Sequence, residues 1–384
     1  MSIARAGEDA PVRVYARPVK RIAVTTLIAV LAAGSLATTR GAATTPISTD
    51  RPSLDAVVAA GSPGALVLVD QGGSRRQEAA GLAVLRGSVP LSAGYRFRAG
   101  SITKTFVAVI VLQLVAEKKL GLGDTVERWL PGLVPNGDRI TVRQLLAHTS
   151  GLADYAGDSA FLHRTVSEPR RRWKPRELVG VALAQGSVGR PGERFAYAST
   201  NYVLLGLVVE RATGATLERQ LRSRIFTPLG LRSTSFSSGT RIPGRHAHGY
   251  APSQHDGIIG SLATARDRST ASASWGWAAG AIVSTAPDLS RFVGTLLQGR
   301  LLPARLLTLM RPPQGARYGL GLAAFRTPCG TAIGHTGNLL GTVSAVWSSR
   351  DGRRRVVAMT NSYPLSPAAD TAFRRLLETA YCGA

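Results

Sequence analysis

Apolar residues follow two different spacings along the chain, and the changes of spacing mark the predicted elements. Short apolar runs at Ala65–Val69 and Gly81–Leu85 are typical of buried strands. From Ser101 onward, apolar residues recur every three or four positions, which predicts a helix that ends before Gly121. The first part of the chain therefore begins with strands and continues into a helix.

The middle of the chain has a mainly helical pattern from Thr141 to about Gln220. Glycine and proline interrupt it at Gly151, Pro191-Gly192 and Gly214. Residues 241–270 show no periodicity and are rich in Gly, His, Ser and Arg, so we expect a loop there.

Regular patterns return after Trp277. Thr285 and Asp288 have the spacing of a capping box, which predicts a helix through Leu297. A hairpin turn is predicted at 349–353 and a final helix at 367–381. The strands predicted in this part are Tyr318–Phe325, Thr331–Gly334, Val343–Trp347 and Arg355–Asn361.

Strands thus lie toward both ends of the chain and helices in its middle. This order predicts an α/β (α+β) fold, an antiparallel sheet flanked by helices and built from both chain ends, with an inserted mainly helical subdomain. We expect the α/β part at about 53–120 and 271–384 and the helical part at about 121–270. A cleft between the two parts is the expected place for a binding site.

The N-terminal segment has the basic, apolar and small-residue parts of a secretory signal peptide. The apolar stretch at 22–33 is shorter than the roughly 20 residues of a membrane-spanning helix. With Ser35-Leu36-Ala37 as the cleavage site, we expect a signal peptide at 1–37, a linker at 38–52 and one domain at 53–384. The predicted localisation is secreted, with an uncleaved anchor that holds the protein at the cell envelope as the alternative.

The formal net charge is +24, and nearly all of the positive charge comes from 42 arginines, against five lysines. These arginines are scattered, whereas a nucleic-acid-binding protein concentrates its charge on one stripe or tail. We therefore expect no nucleic-acid partner. Two explanations stay open, electrostatic association with an anionic cell wall and the favoured one, a general arginine bias. No pattern calls for a cofactor, a metal or an obligate partner, so a monomer is expected.

Cys329 and Cys382 are the two cysteines of the chain. In an exported protein, a small even number of cysteines favours a disulfide. Two unpaired thiols are the alternative.

The most informative chemical pattern is Ser101 followed by Lys104. Positions i and i+3 share one face of a helix, so the lysine amine can lie beside the serine hydroxyl. A serine hydroxyl is a weak nucleophile until a neighbour takes its proton. If the helix begins near Ser101, backbone N–H groups and the positive end of the helix dipole also lie close, and Gly100 permits a tight turn into it. A helix cap with a solvated Lys104 is the alternative.

Two further segments can bring chemistry to the same cleft. A phenol at Tyr197, held near the Lys104 ammonium, should lose its proton more easily and could transfer protons. An ordinary half-buried tyrosine is the alternative. In the second segment, Gly334–Asn338, the glycines allow a ligand backbone to approach closely.

Three residues of that second segment have expected roles. Thr336 offers a hydroxyl to an anionic group. The main-chain N–H of Asn338 could share an oxyanion with that of Ser101. His335 is also compatible with a purely structural role. We expect residues 101, 104 and 197 to converge on one cleft with 335–338 as its far wall.

Together, Ser-x-x-Lys, Tyr-x-Ser and His-Thr-Gly in this order resemble the motifs of the penicillin-recognising serine enzymes. Leu145–Leu152 and Ala279–Thr285 are similar to segments of the branch that holds class C β-lactamases and D-alanyl-D-alanine carboxypeptidases. The end of the chain narrows this resemblance to the secreted actinomycete D-alanyl-D-alanine carboxypeptidases. It does so through Tyr318–Leu322, Pro328–Gly330 and Tyr381–Gly383.

This resemblance implies a β-lactamase/transpeptidase-like fold and a role for each motif. Ser101 would be the acylated nucleophile, and Lys104 and Tyr197 would jointly move its proton. The N–H groups of Ser101 and Asn338 would form the oxyanion hole, and Thr336 would meet the terminal carboxylate of D-alanine. The family's disulfide joins cysteines in the places of those found here.

The implied substrate-binding residues are Ser199, His335, Thr336, Gly337 and Asn338, and two of them depart from the usual pattern. Ser199 stands where asparagine is usual, which puts the anchoring of the substrate's peptide carbonyl in doubt, and Asn201 need not point the same way. His335 stands where lysine is usual, which makes the local positive charge dependent on pH.

The predicted function is a serine D-alanyl-D-alanine carboxypeptidase that acts on peptidoglycan stem peptides through an acyl-enzyme and is inhibited by β-lactams. A β-lactamase, an esterase or a D-amino-acid amidase of the same fold is the alternative. A wall-binding or antibiotic-sensing module without turnover is a different class. A zinc hydrolase would use His246, His248 and His255, whose spacing matches no standard ligand set. An α/β-hydrolase is disfavoured because no Gly-x-Ser-x-Gly occurs.

Overall fold

The computed structural model describes residues 50–252, 254–255, 258–259 and 264–383. The predicted signal peptide and the linker up to residue 49 lie outside the described residues. Residues 51 and 52 of the predicted linker form the start of a helix. None of the helices in the described part of the chain has the length and hydropathy needed to cross a membrane.

The α-helices and strands are numbered in chain order. The helices are α1 Arg51–Ala59, α2 Thr103–Ala116, α3 Val126–Trp129, α4 Val142–Leu146, α5 Ser159–Ser167, α6 Pro175–Ala184, α7 Ser199–Thr213, α8 Leu217–Leu221, α9 Trp277–Gly280, α10 Ala286–Leu297, α11 Ala304–Met310 and α12 Pro367–Cys382. The strands are β1 Gly64–Gln71, β2 Ser74–Val84, β3 Val89–Pro90, β4 Phe97–Arg98, β5 Ser235–Phe236, β6 Tyr250–Ala251, β7 Gln254–His255, β8 Ile258–Ile259, β9 Arg266–Asp267, β10 Ile282–Ser284, β11 Ala323–Thr327, β12 Gly330–Leu339, β13 Thr342–Ser348 and β14 Arg354–Thr360.

A seven-stranded sheet joins the two ends of the chain in the order β11-β12-β13-β14-β1-β2-β3. Each neighbouring pair is antiparallel. The central contact pairs β1 from the start of the chain with β14 from its end. The prediction of an antiparallel sheet built from both chain ends and flanked by helices is confirmed.

The two faces of the sheet pack against different layers, because side chains alternate along a strand. In β1, Leu66 and Leu68 belong to the large core that the inserted helices share. Val67 and Val69 belong to a second core, formed with α1 and α12. The large core therefore lies on the side of the sheet that also carries the candidate site.

Helix α2 runs through the large core and is buried on nearly all sides from Thr103 to Leu112. A helix with apolar residues all round is typical of such a central position. The Phe106 ring stacks on the Phe292 ring of α10 with centroids 3.6 Å apart. This packing fixes the helix whose first turn carries the candidate nucleophile.

Three predicted strand boundaries are wrong. The strand predicted to begin at Gly81 begins at Ser74, because exposed polar residues also pair with β1. The strand predicted at Tyr318–Phe325 begins at Ala323, because the chain turns first. Gly321 has a φ of +92°, and the Gly319 N–H donates to the Leu322 carbonyl at 2.8 Å. The strand predicted to end at Gly334 continues to Leu339. The His-Thr-Gly motif therefore lies within a strand.

The capping box predicted at Thr285 is only half formed. The Thr285 hydroxyl accepts from the Asp288 N–H at 3.4 Å, as an N-cap does. The Asp288 carboxylate instead accepts from the Ser233 N–H at 2.9 Å and the Thr234 hydroxyl at 2.8 Å. The predicted loop at 241–270 contains two short strand pairs, β6–β9 and β7–β8.

The predicted disulfide is present between Cys329 and Cys382. Cys329 lies between β11 and β12, and Cys382 is the last residue of α12. The bridge therefore fastens the end of the chain to the hairpin that leads into the motif strand.

Candidate active site

Ser101 lies in a 3₁₀ turn, Gly100–Ile102, that leads directly into α2. Gly100 has a φ of +53°, and a Cβ placed on it would lie 2.6 Å from the Asn338 nitrogen. A Cβ on Gly337 would lie 2.9 Å from the Ser101 nitrogen. Both glycines are required for this close approach, which presses β12 against the nucleophile turn.

Lys104 is fully buried beside Ser101. Its Nζ lies 2.9 Å from Ser101 Oγ, 3.0 Å from the Ala279 carbonyl oxygen and 3.4 Å from Ser199 Oγ. All three oxygens are uncharged. Burial lowers the pKa of Lys104 to about 7, and the Asp154 charge only partly opposes this. A free amine is therefore available near neutral pH to accept the Ser101 proton.

Tyr197 lies at the mouth of this cluster, with its ring centroid 5.0 Å from Lys104 Nζ. Burial raises the pKa of its phenol above the ordinary value, and a hydrogen bond with Ser101 opposes the shift. Because 38% of the residue surface is exposed, water weakens that effect without reversing it. The prediction that the nearby lysine makes Tyr197 more acidic is wrong, because burial is the largest influence on the phenol and raises its pKa.

Ser199 directs its hydroxyl at Lys104, and its N–H donates to Asp154 Oδ1 at 2.9 Å. Asn201 does not take over the usual asparagine position. It is fully buried and accepts from the Ser150 hydroxyl at 2.6 Å, and its amide lies 3.1 Å from His148 Nδ1. Asn201 therefore does not replace the asparagine amide that usually stands at position 199 of this motif.

His335 is buried and both of its ring nitrogens have partners. Nε2 lies 3.0 Å from the Tyr318 hydroxyl, and Nδ1 lies 2.5 Å from the Thr336 carbonyl oxygen. Burial lowers the pKa of His335 to about 3, and the Lys104 charge acts in the same direction. His335 therefore gains its charge only far below neutral pH, and it is uncharged at pH 7.

Strand alternation separates the members of the motif. His335 and Gly337 are buried, whereas Thr336 and Asn338 are exposed. Thr336 pairs with Ala345, a member of the core that contains α1 and α12. The Thr336 side chain thus starts on the face opposite Gly337. Pairing of β12 with β11 ends at Gly334, so Thr336 lies where β11 no longer covers the strand.

Four contributors to the site were not predicted from the sequence. They are the carboxylate of Asp154, the imidazole of His148, the phenol of Tyr318 and the main-chain carbonyl of Ala279. The last three lie inside segments that carry the family resemblance, and Asp154 follows one of them by two residues. Their place in or beside these segments was the one sign in the sequence that they belong to the site. It does not indicate which atoms each residue contacts.

The histidines considered for zinc lie elsewhere. The rings of His246 and His248 stack with centroids 5.2 Å apart, and His248 Nδ1 lies 2.7 Å from Asp267 Oδ2. The side chain of His255 lies outside the described residues. Within the part of the chain that the structure describes, no group of three His, Cys, Asp or Glu side chains is placed to hold a metal.

The fold and the cluster of Ser101, Lys104 and Tyr197 define a serine hydrolase of the penicillin-recognising type. The family model described as Beta-lactamase matches residues 51–381, so the chain belongs to the beta-lactamase family.

Comparison with individual proteins shows two kinds of relative. Penicillin-binding protein 4* of Bacillus subtilis is 33% identical over 177 residues, which is 43% of this chain and 37% of that protein. The chain spans between 31% and 52% of the length of the curated relatives it matches. The D-stereospecific amidohydrolase from Streptomyces sp. is 35% identical, with a TM-score of 0.77 over 87% of this chain and 98% of that one. The D-amino acid amidase from Ochrobactrum anthropi is 26% identical, with a TM-score of 0.75 over 86% and 97%.

Proposed function

We propose that the protein is a D-stereospecific serine peptidase that cleaves the D-alanyl-D-alanine bond of peptidoglycan stem peptides through an acyl-enzyme on Ser101. The observation that carries this proposal is the buried Lys104 amine, 2.9 Å from Ser101 Oγ, with a pKa near 7. A neutral amine at this distance is a competent base for a serine nucleophile.

Acylation then follows in a balanced sequence. Lys104 takes the Ser101 proton while the oxygen attacks the substrate carbonyl carbon. The N–H groups of Ser101 and Asn338 stabilise the resulting oxyanion. Tyr197, which keeps its proton at neutral pH, gives it to the leaving amine and recovers one from Lys104. Water later hydrolyses the ester, and a β-lactam would acylate the same oxygen and remain bound where hydrolysis is slow.

The open part of β12 supports an extended peptide substrate. The strand edge from 335 onward is not paired by β11, and an extended peptide can add to such an edge by main-chain hydrogen bonds. Thr336 is exposed at this edge. Its hydroxyl is the proposed partner of the terminal D-alanine carboxylate.

A D-amino-acid amidase is the second candidate, and His335 is the observation that favours it. The usual lysine of this motif is replaced by a buried histidine that is neutral at pH 7, so this position supplies no cation for a terminal carboxylate. An amide substrate has no terminal carboxylate, so it needs no cation at this position, and its cleavage releases ammonia. The names of the amidohydrolase and amidase with similar structures support the same candidate.

A panel of four substrates separates the candidates. It contains diacyl-L-Lys-D-Ala-D-Ala, the same peptide ending in L-Ala, its C-terminal amide, and D-phenylalanine amide. The carboxypeptidase proposal predicts turnover of the first peptide and rejection of the L-Ala form. Turnover confined to the two amides would establish the amidase instead, and hydrolysis of none of the four would contradict both.

We also propose that the protein acts outside the cytoplasmic membrane as a monomer. The predicted signal peptide at 1–37 supports export, and the Cys329–Cys382 disulfide suits an oxidising compartment. N-terminal sequencing of the mature protein should find a start after Ala37. A membrane-bound form that retains the first residues would support the anchor alternative.

A further inference from the structure

Asp154 joins two segments at the edge of the reaction centre. Its Oδ1 accepts the Ala156 N–H at 3.1 Å and the Ser199 N–H at 2.9 Å. Ser199 is the first residue of α7, and the Ala198 side chain provides no cap. The first N–H groups of a helix have no partner within it. Asp154 therefore supplies, from another part of the chain, the acceptor that this helix start needs.

His148 holds the preceding amide of the same stretch. The Ala198 N–H donates to His148 Nδ1 at 3.2 Å, and the His148 ring packs on the Tyr197 ring with centroids 4.2 Å apart. Two consecutive amides, at 198 and 199, are thus fixed by side chains of the segment 148–154. The position of Tyr197 beside Ser101 depends on this attachment.

Asp154 is also the charged neighbour of Lys104. Ser199 separates the two groups, since its hydroxyl lies 3.4 Å from Lys104 Nζ and its N–H binds the Asp154 carboxylate. The two charges act on each other through this short gap. The other titratable groups that face Lys104 from neighbouring elements are His148, His335, Tyr197 and Tyr202.

Those four neighbours are uncharged near neutral pH. Burial lowers the pKa of both histidines and raises the pKa of both phenols. The Asp154 carboxylate has its pKa raised by burial, but the Lys104 charge and the two N–H bonds favour the ionised form. Among these groups, Asp154 is the one whose charge opposes the effect of burial on the pKa of Lys104.

We propose that Asp154 is a positioning residue of the reaction centre, which fixes the Tyr197–Ser199 stretch by a hydrogen bond and holds a negative charge beside Lys104. The expected effect on kcat/KM rests on the proposed function. The expected effect on the titration of Lys104 concerns the protein without substrate. The charge keeps the proton affinity of Lys104 high enough for the amine to accept the Ser101 proton in each turnover.

Two substitutions separate the two roles. Asp154→Asn keeps an acceptor for the Ser199 N–H and removes the charge, whereas Asp154→Ala removes both. Asp158→Asn is the matched control, because Asp158 caps α5 by accepting the Phe161 N–H at 2.7 Å. The titration of Lys104 is followed by NMR in protein labelled at the lysine ε-carbon. The chain has five lysines, and Lys104→Arg assigns the signal.

In Asp154→Asn we expect the Lys104 titration to move down by about one pH unit. The acid limb of kcat/KM should move by the same amount, with activity above that limb kept within about threefold. Asp154→Ala should show the same shift and also lose at least about tenfold in kcat. Asp158→Asn should change neither. A merely structural Asp154 would leave the titration of the Asn variant unchanged, and that result would overturn the proposal.

The NMR measurement needs no substrate, so an enzyme inactive on D-peptides would contradict the proposed function and leave this test intact. If Asp154→Asn does not fold, the reciprocal measurement replaces it. In Lys104→Met, the Asp154 carboxyl titration should rise by about one pH unit, because the coupling acts equally on both partners. An unchanged Asp154 titration would overturn the proposal.

Discussion

Lys104 is the residue on which the chemistry of the site depends. Its amine is fully buried, and the three oxygens within hydrogen-bond distance carry no charge. Burial away from water disfavours the ammonium ion, and no contacting carboxylate offsets this cost. Removing a lysine charge by burial makes the amine a base near neutral pH. Ser101 therefore needs no separate histidine, and His335 and His148 serve as neutral hydrogen-bonding groups.

The first prediction concerns the pH dependence of acylation. Since the pKa of Lys104 is lowered to about 7, the amine is protonated and inactive below that pH and free above it. We expect kcat/KM for a substrate with no titrating group to fall about tenfold per pH unit below pH 7 and to level off above it. Steady-state kinetics between pH 5 and 9 measure this. A rate that still rises about tenfold per pH unit up to pH 9 would show that the pKa of Lys104 is not lowered, and a rate that does not fall below pH 7 would show that Lys104 is not the base.

The second prediction concerns the proton donor. Tyr197→Phe removes the hydroxyl beside Ser101 and keeps the ring that packs on His148, so we expect kcat to fall about 10²- to 10³-fold with an unchanged melting temperature. Tyr95→Phe is the control, because Tyr95 only packs against the edge of the large core. Equal activity of the two variants would exclude Tyr197 from proton transfer.

At the scale of elements, the site depends on how closely β12 approaches the turn before α2. Glycine stands on both sides of this contact, at 100 and 337. In each case a side chain would meet main-chain atoms of the other segment. The two N–H groups proposed for the oxyanion hole belong to these two segments, so their relative position follows from the contact.

The third prediction tests that contact. In Gly337→Ala the added Cβ would lie 2.0 Å from the Ala99 carbonyl oxygen, so β12 must move away from the nucleophile turn. We expect kcat/KM to fall about 10²-fold or more, as for loss of one oxyanion-hole donor. Gly180→Ala, inside α6 with nothing within 4 Å of the new Cβ, should be neutral or stabilising by about 1 kcal/mol. Full activity of Gly337→Ala would contradict this assignment of the oxyanion hole.

Spacing and motif order predicted the sheet, the central helix and the residues that surround Ser101. They failed where a contact joins distant segments or where burial decides a charge. Asp154 meets Ser199 across 45 positions, which no periodicity reveals. Tyr197 and His335 are uncharged at neutral pH because other chain segments bury them. Residue type alone does not show this burial. The start of β11 was misplaced because a turn at Gly321 interrupts an apolar run that reads as a strand.

At the scale of the whole molecule, the two ends of the chain build the sheet and the disulfide fastens its last helix. The fourth prediction is that Cys329→Ser with Cys382→Ser destabilises the fold. For a separation of 53 residues, the chain-entropy model gives about 4 kcal/mol, or a melting temperature lower by roughly 5 to 10 °C. Activity at 25 °C should be unchanged, because neither cysteine contacts the site. Calorimetry checks this, and an unchanged melting temperature would contradict it.

The central claim is that segments from the beginning, middle and end of the sequence meet to activate one serine. Intact mass and peptide mapping after incubation with benzylpenicillin test it most directly. We predict a single covalent adduct, carried by the peptide that contains Ser101 and absent from Ser101→Ala. An adduct on another residue, or one that persists in Ser101→Ala, would contradict the account.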